Sequence, residues 1–158
     1  MRAGLIATLV FVLAGGGTAS AQAPRTCTWG GTIAAATGQN HVDGGLTNTP
    51  STEPLHFHAS GALAGQCSGT LVFDGFMDAG ATCSYITFHA RTRGLPGVRS
   101  VAGTAVAGFA PARLYDRDGN VVGSENANFL SDPSIVLACN TPEGVTGNPF
   151  SSVIVLFA

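Results

Sequence analysis

Glycine occurs so often in this chain (22 of 158 residues) that no stretch beyond residue 21 holds a helical period. Between the glycines and prolines lie short runs rich in Thr, Val, Ala and aromatic residues, each bounded by turn signals. That is the pattern of an all-β domain. The runs that read as strands are 26–35, 55–66, 70–74, 82–92, 99–110, 112–116, 120–123, 134–139 and 152–157. Two of the intervening turns have a physical basis. "LPGV" sets Pro96 before Gly97, as a type II turn requires, and "DRDGNV" is a tight hairpin in which Gly119 is free to take positive φ.

Side chains alternate along a strand, so parity assigns the faces. In 55–66, Leu55, Phe57 and Leu63 share one face, and His56, His58, Ser60 and Gln66 share the other. In 82–92, Ile86 and Phe88 oppose Tyr85, Thr87, His89 and Arg91. One face is buried and one is wet. The last strand, "SVIVLF", is apolar on both faces and is expected to be central, covered or a contact surface. The longest stretch without a pattern is "TGQNHVDGGLTNTPSTEP", 37–54, which reads as a long loop.

The N-terminus points to export. Met1 and Arg2 precede the apolar run "AGLIATLVFVLA" and a small-residue segment ending in Ala19-Ser20-Ala21. A basic start, a short hydrophobic core and an A-x-A site make a secretory signal peptide. The run falls short of the roughly 20 apolar residues needed to span a bilayer. Residues 1–21 are therefore expected to be removed, leaving 22–158 as a single secreted β-domain found extracellularly or in a periplasm. The mature part would carry six arginines, no lysine and nine acidic residues. With no basic stripe there is nothing to neutralise a phosphate backbone, and nucleic acid is excluded as a partner. Adsorption to anionic lipid is disfavoured for the same reason. The C-terminal "VIVLFA" raises an outer-membrane barrel, but one Trp and two Tyr cannot form two aromatic girdles. No membrane insertion is expected.

Cys27, Cys67, Cys83 and Cys139 all lie in the mature part. An even count in an exported chain implies two disulfides, and four cysteines allow three pairings. Cys27–Cys139 with Cys67–Cys83 is the favoured pairing, because it closes one short loop and ties the two ends of the domain together. Strand parity does not enforce it.

Few residues suggest chemistry. His56 and His58 project from one strand face, close enough to share a metal ion, and His89 is the best third ligand. In a simple meander, however, strand 70–74 would separate His89 from the other two, and next-but-one strands are roughly 10 Å apart. His41, in the long loop, has nothing to fix it. "HFH" is similar to the cupin metal motif, but the glutamate and the later histidine of that motif are missing. "GQCSG" has the form of a nucleophile elbow without the strand–turn–helix context. "DRDGN" resembles the start of a calcium loop, with Val121 in place of the required glycine and Ala127 in place of the bidentate glutamate. Arg91, Arg93 and Arg99 bracket the "GLPG" turn and could meet a carboxylate or phosphate on a partner.

The order of features ("CTWGGT" early, "CSG" at Cys67, "CNTPEGVTG" before the final strand) resembles a type of small exported bacterial four-cysteine β-domain. The resemblance implies a disulfide-stapled β-fold and brings no activity, cofactor or residue role with it.

The expected fold is all-β: an antiparallel up-and-down barrel or a two-sheet β-sandwich of about eight or nine strands. The barrel, with its first strand near its last, suits the long glycine-containing strands better. The expected function is a non-enzymatic extracellular binding or interaction module, with its partner or small ligand left open and no cofactor. The alternatives are a barrel holding a small apolar ligand and a metal-dependent enzyme using His56, His58 and His89.

Overall fold

The structure is a computed structural model that describes residues 22–129 and 133–158. The signal peptide expected at 1–21 lies outside the described residues. In chain order the elements are β1 (Arg25–Trp29), β2 (Gly31–Thr32), β3 (Ala35–Ala36), β4 (Gly38–Leu46), β5 (Leu55–Gly65) and β6 (Gly69–Met77). They continue with β7 (Tyr85–Arg93), β8 (Ser100–Val106), β9 (Phe109–Tyr115), β10 (Val121–Asn128), a short helix α1 (Ser134–Ala138) and β11 (Val145–Leu156).

From β4 to β11 each strand pairs antiparallel with the next, and the sheet then closes on itself. The closure uses β1 and β4 together. The first half of β11 pairs with β4, Phe150 opposite Gly38, and its second half pairs with β1, Trp29 opposite Ser152. β5 divides in the same way, with Ser60 opposite Gln39 and Leu63 opposite Trp29. β1 and β4 thus occupy one position of an eight-stranded antiparallel barrel, interrupted by the small β2–β3 hairpin. Gly30 is where the chain leaves the barrel wall. Its φ is +73°, its N–H still donates to Ala62 O (3.0 Å), and an added Cβ would lie 2.8 Å from the Gly38 backbone.

The barrel form is the one favoured from the sequence, with β1 beside β11. The parity assignments hold: Phe57, Ala59 and Leu63 point inward on β5, while His56 and His58 lie on the outer face. β11 is flanked on both sides, with Ile154 and Leu156 buried and Val153 exposed on the outside. Both expected turns are present. Gly97 has φ +82° in a turn closed by Val98 N–H on Leu95 O, and Asp116 caps the β9–β10 turn through the N–H groups of Asp118 and Asn120.

Five expectations need correction. The run 26–35 is not one strand but β1 followed, after Gly30, by the β2–β3 hairpin. Half of the expected loop 37–54 is strand β4. Its inward positions include Gly38 and Asn40, so no apolar alternation marks it. The run 99–110 is two strands, β8 and β9, joined by a two-residue turn at Ala107 (φ 48°) and Gly108 (φ 85°). With both residues at positive φ, the turn matches the twist of its flanking strands, and Ala-Gly is a weak signal for it. Segment 134–139 is α1 running into its C-cap, not a strand. Five residues are too few to show a helical period.

The disulfides are Cys27–Cys67 and Cys83–Cys139, not the favoured pairing. The reason is topological. Cys27 lies opposite Gly65, so the β5–β6 turn brings Cys67 to a Cα–Cα distance of 5.4 Å. Cys139 lies at the other end of the barrel, where the β6–β7 loop brings Cys83 to 6.1 Å. One bridge staples each end.

Candidate functional site

The two ends of the barrel are filled differently. At the end carrying the β5–β6, β7–β8 and β9–β10 turns, Leu71, Val101, Leu114 and Ile154 are fully buried, and Leu95 and Val98 fold in from the β7–β8 turn. Above them the Trp29 indole N–H donates to Leu71 O (3.1 Å), and its ring packs on Phe73 (4.3 Å) and edge-on to Phe150 (4.5 Å). This end is a solid core.

Towards the other end the inward residues of β8, β9 and β10 shrink to Ala105, Ala110 and Ala127. Alanines cannot reach the barrel axis, and beyond Ala105 a cavity of about 390 Å³ opens. Val42, Met77, Ile86, Ala105 and Phe129 give it apolar walls, and Ile135 of α1 lies across it. The exposed residues Asn48, Ala107, Val136 and Asn140 form its rim, so the cavity reaches the surface beside α1. Polar groups are few. Asn40 and Asn148 face each other across β4 and β11, Asn40 Nδ2 donating to Asn148 Oδ1 (3.2 Å) and Asn148 Nδ2 to Pro149 O.

α1 is held at this mouth by the Cys83–Cys139 bridge and by Asn48, whose N–H donates to Cys139 O (3.2 Å) and whose side chain donates to Asn140 (2.9 Å). The residues leading into it, 130–132, are outside those described. Val136 and Leu137 of α1 are exposed.

A smaller cavity of about 50 Å³ lies deeper. It shares Asn40, Met77, Ile86, Ala105 and Phe129 with the first, so the two adjoin along the barrel axis. Its wall contains Glu125, the one charged residue type buried among the described residues. Burial pushes the Glu125 carboxyl up to about 7, opposed by a hydrogen bond that Ser152 Oγ donates to Oε1 (2.7 Å).

The histidines lie outside the barrel, on the face formed by β4 to β7. Cross-strand register sets out one row as His41, His58, Asp74 and Arg91, and beside it a row of His56, Phe76 and His89. His56 Nδ1 meets Asp43 (2.9 Å) and its Nε2 meets Asp74 (3.3 Å); His58 Nδ1 meets the other oxygen of Asp74 (3.3 Å). The hydrogen bond to Asp43, and then that to Asp74, raises the pKa of His56. The same contacts with His56 lower those of Asp43 and Asp74. Both ring nitrogens of His56 are thus engaged by carboxylates. His89 pairs instead with Asp78 (3.5 Å), and the Phe76 ring stands between it and His56, 5.4 Å from one and 6.3 Å from the other. His41, now on β4, meets Asp43 (3.0 Å). No group of three or more His, Cys, Asp or Glu side chains among the described residues is placed to hold a metal ion.

The remaining sequence candidates are dispersed. Cys67 of "GQCSG" is bridged, and the Asp116 carboxylate is occupied by its own turn, which lowers its pKa chiefly through Asn120. Arg91, Arg93 and Arg99 are exposed at the filled end, the opposite end from the remaining loop 47–54. No helix among the described residues is long and apolar enough to cross a membrane. No protein-family model, curated protein or solved structure matches the chain.

A ligand-holding barrel was among the alternatives read from the sequence, but Glu125 and the residues that line the cavity were not singled out. The available signal was the inward parity of Glu125 on β10, in register with Ala112 and Ile154, together with the alanines on the neighbouring strands.

Proposed function

We propose that this protein is a non-enzymatic binding module, acting outside the cytoplasm, that holds a small and largely apolar ligand inside its barrel. The observation that carries this is the half-hollow interior: a cavity of about 390 Å³, apolar-walled and open beside α1, in a barrel whose other half is solid. Ligand sites typically span about 300–1,000 Å³, with mostly apolar walls and a few placed polar groups. Burying apolar surface drives entry at about 25 cal/mol per Å². Two disulfides support a setting outside the reducing cytoplasm and keep both barrel ends rigid, which lowers the ordering cost of binding.

The test is a fluorescence titration with N-phenylnaphthylamine, a neutral apolar probe, on the oxidised protein and on Ala105→Phe. Ala105 is 8% exposed and lines both cavities, so a phenyl ring there fills space rather than displacing a neighbour. One saturable site in the wild type, lost in a folded Ala105→Phe variant, is the expected result. Equal binding by both would place the probe elsewhere and refute the proposal.

A further inference from the structure

Within that reading, we infer that the ligand is an apolar amine, bound ammonium-first with its nitrogen between Glu125 and the aromatic rings of the inner cavity and its apolar part in the outer one. The inference rests on the cavity reading and adds the chemistry of the ligand's head.

The inner cavity has an unusual wall. It is bounded by Trp29, four phenylalanines from β5, β6, β7 and β11 (Phe57, Phe73, Phe88 and Phe150), Phe129, and the single carboxyl of Glu125. Aromatic faces carry negative quadrupole density and attract ammonium groups, most strongly where water is excluded. A carboxylate on the same wall supplies the counter-charge and a charge-assisted acceptor. At about 50 Å³ the space suits a compact head such as an ammonium group, not a chain.

Among the described residues Glu125 has one hydrogen-bond partner, the Ser152 hydroxyl, which engages Oε1. Its immediate register neighbours, Ile154 and Ala112, are apolar, and no other charged side chain among the described residues is buried in the barrel. A purely structural carboxyl would be expected to have more partners, because a buried acid with one costs stability. An incoming ammonium supplies what is missing. A fatty carboxylate would instead meet like charge, and an alcohol would gain one hydrogen bond without the cation–π attraction.

Binding carries a proton signature. Burial keeps the empty site's carboxyl largely protonated below neutral pH, so pairing with an ammonium requires it to release that proton to solvent. The ammonium keeps its own.

The experiment is calorimetric titration of the oxidised full mature chain with octylamine, octanol and octanoate, for wild type and Glu125→Gln. Glutamine keeps the size and can still accept from Ser152. Octylamine is expected to bind wild type about tenfold or more tighter than octanol, with octanoate weakest. Glu125→Gln should abolish the amine's advantage and leave octanol within about twofold. Repeating the amine titration near pH 6 in buffers of different ionisation enthalpy should show about one proton released in wild type and none in the variant. If octanol and octylamine bind alike, or the variant keeps the amine preference, the amine inference is wrong while the cavity reading stands. A preference for octanoate would also overturn it, by making Glu125 a protonated donor. If none of the three binds, the cavity reading itself fails.

Discussion

Glu125 makes the empty protein's stability depend on pH in a direction opposite to that of most carboxylates. Its folded pKa, about 7, stands above the reference value of 4.5. Between those values the native state holds a proton that the unfolded chain has lost, so stability falls as pH rises through the window and levels off above it. A displacement of about 2.5 units at 1.36 kcal/mol per unit amounts to about 3 kcal/mol. Because the group is fully buried, solvent screening does not reduce this much. The perturbation is Glu125→Gln, and the assay is urea unfolding of both oxidised proteins at about pH 5 and about pH 9. At the lower pH, just inside the window, the two should differ by under about 1 kcal/mol. At the higher pH the variant should be more stable by about 3 kcal/mol. His56, whose raised pKa likewise contributes stability that is lost as pH rises, is present in both proteins and cancels in the difference. Parallel pH profiles for the two would refute the burial of an ionisable Glu125.

Other predictions follow from the same geometry. Peptide mapping without reductant should recover Cys27–Cys67 and Cys83–Cys139 linked peptides and no labelled thiol; closing loops of 40 and 56 residues implies about 4 kcal/mol of stabilisation per bridge in the chain-entropy picture. NMR titration should place the His56 pKa above the ordinary imidazole value, and Asp43→Asn should move it down, since Asp43 is the largest cause of the shift. The stability that His56 gains is present at low pH and fades as pH rises through its folded pKa, whereas that of Asp43 and Asp74 fades as pH falls through theirs. Leu114→Ala, in the filled end, should cost about 2–5 kcal/mol, which denaturant unfolding would read directly. Replacing Arg91, Arg93 and Arg99 with serine should change stability by under about 0.5 kcal/mol each and leave N-phenylnaphthylamine binding at the far end unaffected.

What the sequence disclosed followed the strength of local signals. β5 and β7 alternate cleanly because phenylalanine and isoleucine face residues such as histidine and arginine, so their faces and the barrel class were legible. β4 was hidden because its inward positions are Gly38, Asn40 and Val42, and the barrel tolerates small and amide side chains where β11 packs against it. The disulfide pairing depends on which turns share a barrel end, a property of closure that no spacing along the chain encodes. His56, His58 and His89 were correctly placed on a wet face, but their carboxylate partners come from β4, β6 and the turn after β6, and that arrangement emerges only once the strands pair. The cavity was least legible of all. The outer space opens beyond Ala105 and the inner one beside Ala105, Ala110 and Ala127, and alanine in a strand reads as nothing in particular.

The central claim is that the barrel is hollow and apolar-walled beside α1. Xenon enters apolar cavities and leaves filled or hydrated interiors alone. A crystal of the oxidised protein under xenon pressure should therefore show the gas bounded by Met77, Ile86, Ala105, Phe129 and Ile135. Side chains collapsed into that space, with no xenon bound, would contradict the claim.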